Sequence, residues 1–269
     1  MVLDGIQGRS GGGMKSFHGK NILVVGGGSA DGIGFATATK VAERGARVIL
    51  ADLPGTSTAQ LARRLPGEQP HLDSEMDVSD PDSVATAIAD ALEMAGRLDG
   101  LLVASGIYSM KSFRETDLRS WREVIDINLT GTFIVAHAAA RAMEATGGGR
   151  IVLVSSIAGR RPALLGASYG VSKAAVTMLG QYMALELAKY KINVNTLVPG
   201  STATAMMGTD KTRHSEAING SLEKWRLGIP LGCMATADDQ AELVAFLLSD
   251  AAKHITGQSI GVDGGQSFL

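Results

Sequence analysis

Along the chain, short apolar runs alternate with longer stretches whose apolar residues recur every three or four positions. The runs are Asn21–Val25, Arg47–Ala51, Leu72–Met76, Gly100–Ala104, Arg150–Ser155, Ile192–Leu197 and Ser259–Val262. Helical periodicity fills the intervals, over Phe35–Arg44, Pro81–Ala95, Asp117–Glu144, Ser168–Lys189 and Asp238–Leu248. Ile151-Val152-Leu153-Val154 is apolar at successive positions, as a strand must be when both faces of its sheet are covered. Strand and helix in regular turn predict an α/β fold, a single doubly wound Rossmann-type domain of about seven parallel strands with helices on both faces. No linker or composition shift divides the chain. The domain is expected over residues 14–269, with Met14 a candidate start. Residues 1–13 are expected to form a flexible Gly-rich extension, without the apolar segment of a secretory signal. Residues 201–231 are the longest irregular stretch and suit a substrate loop.

Composition narrows the function classes. Of 269 residues, 45% are hydrophobic and 19% charged, as in an ordinary globular enzyme. Aromatic residues reach only 4%, which argues against a surface that stacks bases. The 25 basic and 27 acidic residues form no block of one sign, so neither nucleic acid nor an anionic membrane is an expected partner. No apolar run approaches the roughly 18 to 20 residues of a membrane span, and a cytoplasmic location is expected. The single cysteine, Cys233, has no partner for a disulfide and is expected to be a small buried or half-buried apolar side chain. The histidines, His18, His71, His137, His214 and His254, have no ligand spacing, and no metal is expected.

The chemistry begins after the first apolar run. Ile22-Leu23-Val24-Val25 leads into Gly26-Gly27-Gly28-Ser29-Ala30-Asp31-Gly32-Ile33-Gly34, and a helix pattern follows at once. Glycines in the first strand-to-helix turn let backbone approach a pyrophosphate, and the helix start offers free N–H groups and a positive dipole end. Gly26, Ser29, Asp31, Gly32, Ile33 and Gly34 are the candidate contacts. The second run ends at Asp52, about 20 positions on, where a carboxylate accepts bonds from the ribose hydroxyls of NAD and repels a 2′-phosphate. No Arg or Lys follows it immediately, so NAD is expected over NADP. Tyr169 and Lys173 stand four residues apart, on one face of a helix. An ammonium beside a phenol favours the phenolate, which is then able to exchange a proton with an alcohol. Ser156 follows the fifth strand, at the carboxyl edge where ligands bind.

In these motifs and their order the chain resembles the short-chain dehydrogenase/reductase family in its classical branch, from about Phe17 to Gly265. The resemblance rests on the glycine loop, Asp52, Asp77-Val78, Asn128, Ser155-Ser156, Tyr169 to Lys173, Pro199-Gly200 with Thr204, Ile229-Pro230-Leu231-Gly232 and Asp263-Gly264-Gly265. Ser156 lies thirteen residues before Tyr169, the separation usual in the family. The resemblance implies that Tyr169 is the acid/base and that Ser156 holds the reacting oxygen. Lys173 bonds the nicotinamide ribose, and Asn128 keeps a water linked to Lys173 as a proton relay. It further implies that Asp77 and Val78 hold the adenine. Pro199, Gly200, Thr202 and Thr204 lie beside the carboxamide.

Two departures stand out. Val25 replaces the usual Thr before the first Gly, and the loop is two residues longer. Val103-Ala104-Ser105-Gly106 replaces Asn-Asn-Ala-Gly, whose paired Asn side chains brace the sheet and the cofactor loop. Ser105 is expected to supply part of that bonding, with cofactor contact through Ala104, Ser105 and Gly106. The expected activity is NAD(H)-dependent interconversion of a secondary alcohol and a ketone, on a cyclic or otherwise hydrophobic skeleton or a polyol. Met206, Met207, Ile218, Leu222 and Trp225, with Ile107-Tyr108 and Ile157-Ala158-Gly159, are expected to line the substrate pocket. The alternatives are an NADPH-dependent reductase of 3-oxoacyl chains on a carrier protein and a nucleotide-binding scaffold without chemistry. The helical stretches Asp117–Glu144 and Ser168–Lys189 are apolar on more than one face, so a homotetramer, or at least a dimer, is expected.

Overall fold

The computed structural model describes residues 16–268, so the expected extension over residues 1–13 lies outside the described residues. Seven strands form one parallel sheet: β1 (Asn21–Val25), β2 (Arg47–Asp52), β3 (Leu72–Glu75), β4 (Gly100–Val103), β5 (Gly149–Val154), β6 (Ile192–Pro199) and β7 (Ser259–Val262). Their order across the sheet is β3-β2-β1-β4-β5-β6-β7. The strand order reverses between β1 and β4, which opens a crevice at their carboxyl ends, where ligands bind in such sheets.

The helices are α1 (Ile33–Glu43), α2 (Thr58–Ala62), α3 (Pro81–Ala95), α4 (Leu118–Ile125), α5 (Thr132–Ala145), α6 (Ala167–Leu187), α7 (Lys211–Asn219) and α8 (Ala237–Leu248). They divide between the two faces. Leu23 and Val25 of β1 pack with apolar residues of α3, α5 and α6, while Ile22 and Val24 pack with those of α1, α2 and α8. Successive strand positions thus enter different cores, which is why the strand sequences are apolar without alternation. Among the described residues, no helix is long and apolar enough to cross a membrane.

Three regions differ from the sequence expectation. The stretch read as one helix over Asp117–Glu144 is divided by a π-helical segment, Asp126–Gly131, that contains Asn128. The extra residue per turn shifts the helical register without changing the polar and apolar pattern. The substrate loop contains α7, whose side chains are mostly polar and whose only buried residue is Ala217. Cys233 is exposed instead of packed, in the turn between Gly232, at φ +73°, and the capping residue Thr236.

Candidate active site

The carboxyl ends of the strands open into a cleft of about 840 Å³. At one end lies the glycine loop between β1 and α1. Gly26 has φ +90°, and a Cβ there would meet Ser105 N at 2.5 Å; a Cβ on Gly34 would meet Gly26 O at 2.2 Å. Only glycine permits this closeness of loop, helix and the β4 turn. The Asp52 carboxylate, at the end of β2, accepts the N–H of Gly28 at 2.7 Å and that of Leu53 at 2.8 Å.

The β4 turn lacks the bracing expected of it. Ser105 Oγ is buried and has no hydrogen-bond partner among the described residues, so it does not replace the missing amide bonding. The turn is held instead by backbone, with Ala104 N donating to Val25 O at 2.8 Å, and by Asn128 one step further on. Asn128 is fully buried in the π-helical segment. Its Oδ1 accepts from Ile107 N at 2.8 Å, while its Nδ2 donates to Ile107 O at 2.9 Å and to Ser172 Oγ at 3.1 Å. A π turn aims this side chain where an uninterrupted α-helix would not, a device frequent at functional sites.

On the other side, Ser156 caps a short 3₁₀ turn, Ile157–Gly159, its Oγ accepting from Ala158 N at 3.1 Å. That turn packs tightly on α6: a Cβ on Gly159 would meet Ala174 N at 2.6 Å. Ser155 Oγ donates to Lys173 O at 2.6 Å. These contacts fix Ser156 against the helix that carries Tyr169 and Lys173. Lys173 is 4% exposed and donates from Nζ to Val154 O at 2.9 Å. Burial lowers its pKa from 10.5 to about 8.

The Tyr169 phenol is raised, not lowered as its spacing from Lys173 leads one to expect. Burial pushes its pKa above the ordinary 10; the Ser156 hydroxyl, hydrogen-bonding to the phenolate, pulls the other way, and Tyr108 adds to the rise. The Lys173 ammonium lies 5.7 Å from the Tyr169 ring centre and is turned onto the Val154 carbonyl, so desolvation prevails. Tyr108 stands edge-on to Tyr169, their ring centres 4.8 Å apart.

Most predicted residues meet in this cleft. Gly26, Ser29, Gly32, Ile33, Gly34, Asp52, Asp77, Val78, Ala104, Ser105, Gly106, Ser156, Tyr169, Lys173, Pro199, Gly200, Thr202 and Thr204 all line it. Asp31 does not: it is exposed and accepts from Ser29 Oγ at 2.6 Å. Asn128 stands behind the wall, not in it. Met206, Met207, Trp225, Ile107, Tyr108, Ile157 and Ala158 face the cleft, whereas Gly159, Ile218 and Leu222 are not among its walls, and Leu222 is almost fully exposed. Sequence reasoning missed Arg161, Arg213 and Arg226, which also line the cleft. Arg161 and Arg226 lie in irregular chain and Arg213 on a helix without an apolar stripe, so none of them carries a periodic signal. Among the described residues, no three His, Cys, Asp or Glu side chains are placed to hold a metal.

The residues present fit a dinucleotide. The glycine loop ends at the start of α1, the Gly26 and Gly34 positions leave no room for a side chain, and Asp52 lies beside them on the cleft wall.

Comparisons with known proteins agree with this geometry. A family model described as enoyl-(acyl carrier protein) reductase matches residues 28–267. The chain is 36% identical to 2,3-dihydro-2,3-dihydroxybenzoate dehydrogenase of Escherichia coli (strain K12), over 94% of this chain and 98% of that protein. It is 38% identical to cis-4-hydroxycyclohexanecarboxylate dehydrogenase of Sinomonas cyclohexanicum, over 90% of this chain and 95% of that one. A crystal structure of a short-chain type dehydrogenase/reductase from Mycobacterium marinum superimposes with a TM-score of 0.86 at 31% identity, covering 95% of this chain and 98% of that chain.

Proposed function

This chain belongs to the short-chain dehydrogenase/reductase family, and from that membership we propose that its cofactor is NAD and that Tyr169 is its acid/base. It is an oxidoreductase acting on CH–OH groups, interconverting a secondary alcohol and a ketone by hydride transfer. The observation that carries the proposal is one cleft holding the glycine loop and Asp52 at one end and Ser156, Tyr169 and Lys173 at the other.

NAD, when bound, supplies the hydride acceptor for the carbinol carbon. The protein does the rest. The glycine loop and the start of α1 bind the pyrophosphate, Asp52 the ribose hydroxyls, and Asp77 and Val78 the adenine. Ala104, Ser105, Gly106, Pro199, Gly200, Thr202 and Thr204 line the path to the nicotinamide end. Ser156 orients the alcohol oxygen, and Tyr169 as phenolate takes its proton. Lys173 bonds the ribose and carries positive charge beside the phenol. Asn128 positions the turn at Ile107 and, through Ser172, the helix of Tyr169. The cleft walls exclude water and align the reacting atoms.

The skeleton that fits is a hydroxylated ring. The relatives' names speak of dihydrodihydroxybenzoate and hydroxycyclohexanecarboxylate, and Met206, Met207 and Trp225 give this cleft an apolar wall. Residues 14–269 act as one domain, with residues 201–231 as the substrate loop, working in the cytoplasm as a homotetramer or dimer. The test is a screen of cyclic secondary alcohols with NAD, followed by NADH absorbance. Alcohol-dependent NADH formation is the expected result; none from any ring alcohol refutes the reading.

A further inference from the structure

One side of the cleft carries charge that proton and hydride transfer do not use. Arg161 follows the Ser156 turn, Arg213 lies on α7, and Arg226 lies in the chain after it; all three are half-buried and line the cleft. Arg161 Nη1 donates to Gln266 O at 3.0 Å, and Arg226 Nη2 donates to Ser201 Oγ at 3.0 Å. The Arg213 guanidinium carbon lies 5.8 Å from the centre of the Tyr108 ring, which is itself edge-on to Tyr169. This charge therefore sits one ring away from the acid/base.

The nearby carboxylates are engaged elsewhere. Glu216 is paired with Lys224 at 2.6 Å. Asp210 caps α7, accepting from the backbone of Thr212 and Arg213. Among the described residues, Arg161, Arg213 and Arg226 form no ion pair with a side chain. Arg226 is held below its ordinary pKa by burial, with Arg213 and Arg161 adding like-charge repulsion and Tyr108 and Glu216 opposing it. Three guanidinium groups drawn together in a partly dry wall, with the nearby Glu216 paired to Lys224 and no carboxylate in an ion pair with any of them among the described residues, are costly unless something anionic completes them. Their planar forks match a carboxylate. Apolar side chains, Ile107, Leu164, Leu165, Met206 and Trp225, line the cleft as well.

We propose that Arg161, Arg213 and Arg226 form the carboxylate-binding end of the substrate site, so that the alcohol oxidised here bears a carboxylate on the same apolar skeleton. This rests on the alcohol–ketone reading of the cleft and adds the charge of its substrate. The carboxylate anchors one end of the molecule and Ser156 and Tyr169 receive the hydroxyl at the other, which fixes the carbon that reacts.

The test separates binding from turnover. Cyclohexanecarboxylate and cyclohexanecarboxamide, neither able to react, are titrated calorimetrically into the full-length enzyme, with and without NADH. The acid is expected to bind at least about tenfold tighter than the amide, as a charged hydrogen-bonded pair implies, and added salt should weaken the acid selectively. Arg213→Gln is the first variant, because its guanidinium makes no hydrogen bond among the described residues. It should cost the acid about tenfold more affinity than the amide, and Arg213→Lys should restore part of the difference. Equal affinity of the parent protein for the two probes overturns the proposal whatever the variants do. Turnover of hydroxycyclohexanecarboxylates and of cyclohexanol is measured in parallel. No turnover of any alcohol, with acid over amide preserved in binding, overturns the catalytic reading and leaves the anion site standing. Equal kcat/KM for cyclohexanol and the hydroxy acids overturns the anion site and leaves the catalytic reading standing.

Discussion

The carboxylate of Asp52 accepts the backbone N–H of Gly28 at 2.7 Å, so the end of β2 ties down the glycine loop that follows β1. A Cβ at Gly28 would sit 2.8 Å from the same oxygen. One side chain thus shapes the loop and sets the charge at the proposed ribose position. A 2′-phosphate brought there meets a like charge, which costs several kcal/mol. NAD should exceed NADP in kcat/KM by about 100-fold or more on that basis. Asp52→Asn removes the charge and keeps an oxygen for Gly28, so it should narrow the gap while KM for NAD changes little. Asp52→Ala also releases the loop and should raise KM for NAD as well. Steady-state kinetics with both cofactors decide it, and a parent enzyme indifferent between them refutes the assignment of Asp52.

Replacing Tyr169 by Phe keeps the ring packed against Tyr108 and removes the exchangeable proton. Loss of a positioned acid/base lowers rates by about 10²- to 10⁴-fold. Turnover should fall at least that far while NADH binding, followed by fluorescence, stays near the parental value. A Tyr169→Phe enzyme turning over at the parental rate would take the proton transfer away from this residue.

The pH profile follows from burial. With the Tyr169 phenol pushed above its ordinary value, the phenolate needed for alcohol oxidation is scarce at neutral pH, and oxidation should accelerate as pH rises. Ketone reduction needs the phenol and should hold at neutral pH and fall in alkali. Ser156→Ala removes the contact that opposes the rise and should move both profiles to higher pH. Profiles of kcat/KM that are flat in both directions from pH 6 to about 10 contradict the tyrosine as the titrating group.

Lys173 makes a stability claim with a definite sign. Its native value of about 8 lies below the ordinary 10.5. Between the two, the unfolded chain holds the proton more tightly than the native one, so this group's contribution to stability rises with pH across that window. Below 8 the buried ammonium is a constant cost. Lys173→Met should therefore show its most favourable Tm relative to the parent below pH 8, and the advantage should shrink toward pH 10.5. A difference that grows over that range would show that burial does not depress this lysine.

What the sequence revealed, and what it hid, has a physical pattern. The strands were legible because the two-sided cores make them apolar without interruption, as in Ile151 to Val154. Helical spacing and strand ends fix where Tyr169, Lys173 and Ser156 go, but only their order and separation within the family pattern singled them out, and the structure brings all three to one cleft. The π turn around Asn128 was not, since it alters register and leaves the hydrophobic pattern untouched. The helix α7 was missed because its sequence, Lys-Thr-Arg-His-Ser-Glu-Ala-Ile-Asn, has no apolar stripe. Asp31 reads as a loop contact, yet its oxygen is taken by Ser29 two residues away, a local bond that spacing does not reveal.

The same two-sidedness predicts assembly. One side of α6 is spent on the sheet, with Val176, Gly180 and Ala184 buried. The other presents Val171, Met178, Tyr182 and Leu185, which are 50%, 54%, 60% and 79% exposed. Their spacing of seven, four and three residues places them on one stripe. Phe133 of α5, stacked on His137, is 49% exposed. An apolar stripe of this length on a long surface helix marks an interface, and in a closed symmetric assembly another copy presents the same stripe to it. Light scattering at micromolar concentration should give a dimer or tetramer of the 27.9 kDa chain. Tyr182→Asp with Leu185→Asp places two charges on the stripe without touching the buried side of α6, so the chain should still fold and the mass should drop. A parent protein that stays at 27.9 kDa across the concentration range leaves the stripe without a second copy and sinks the prediction.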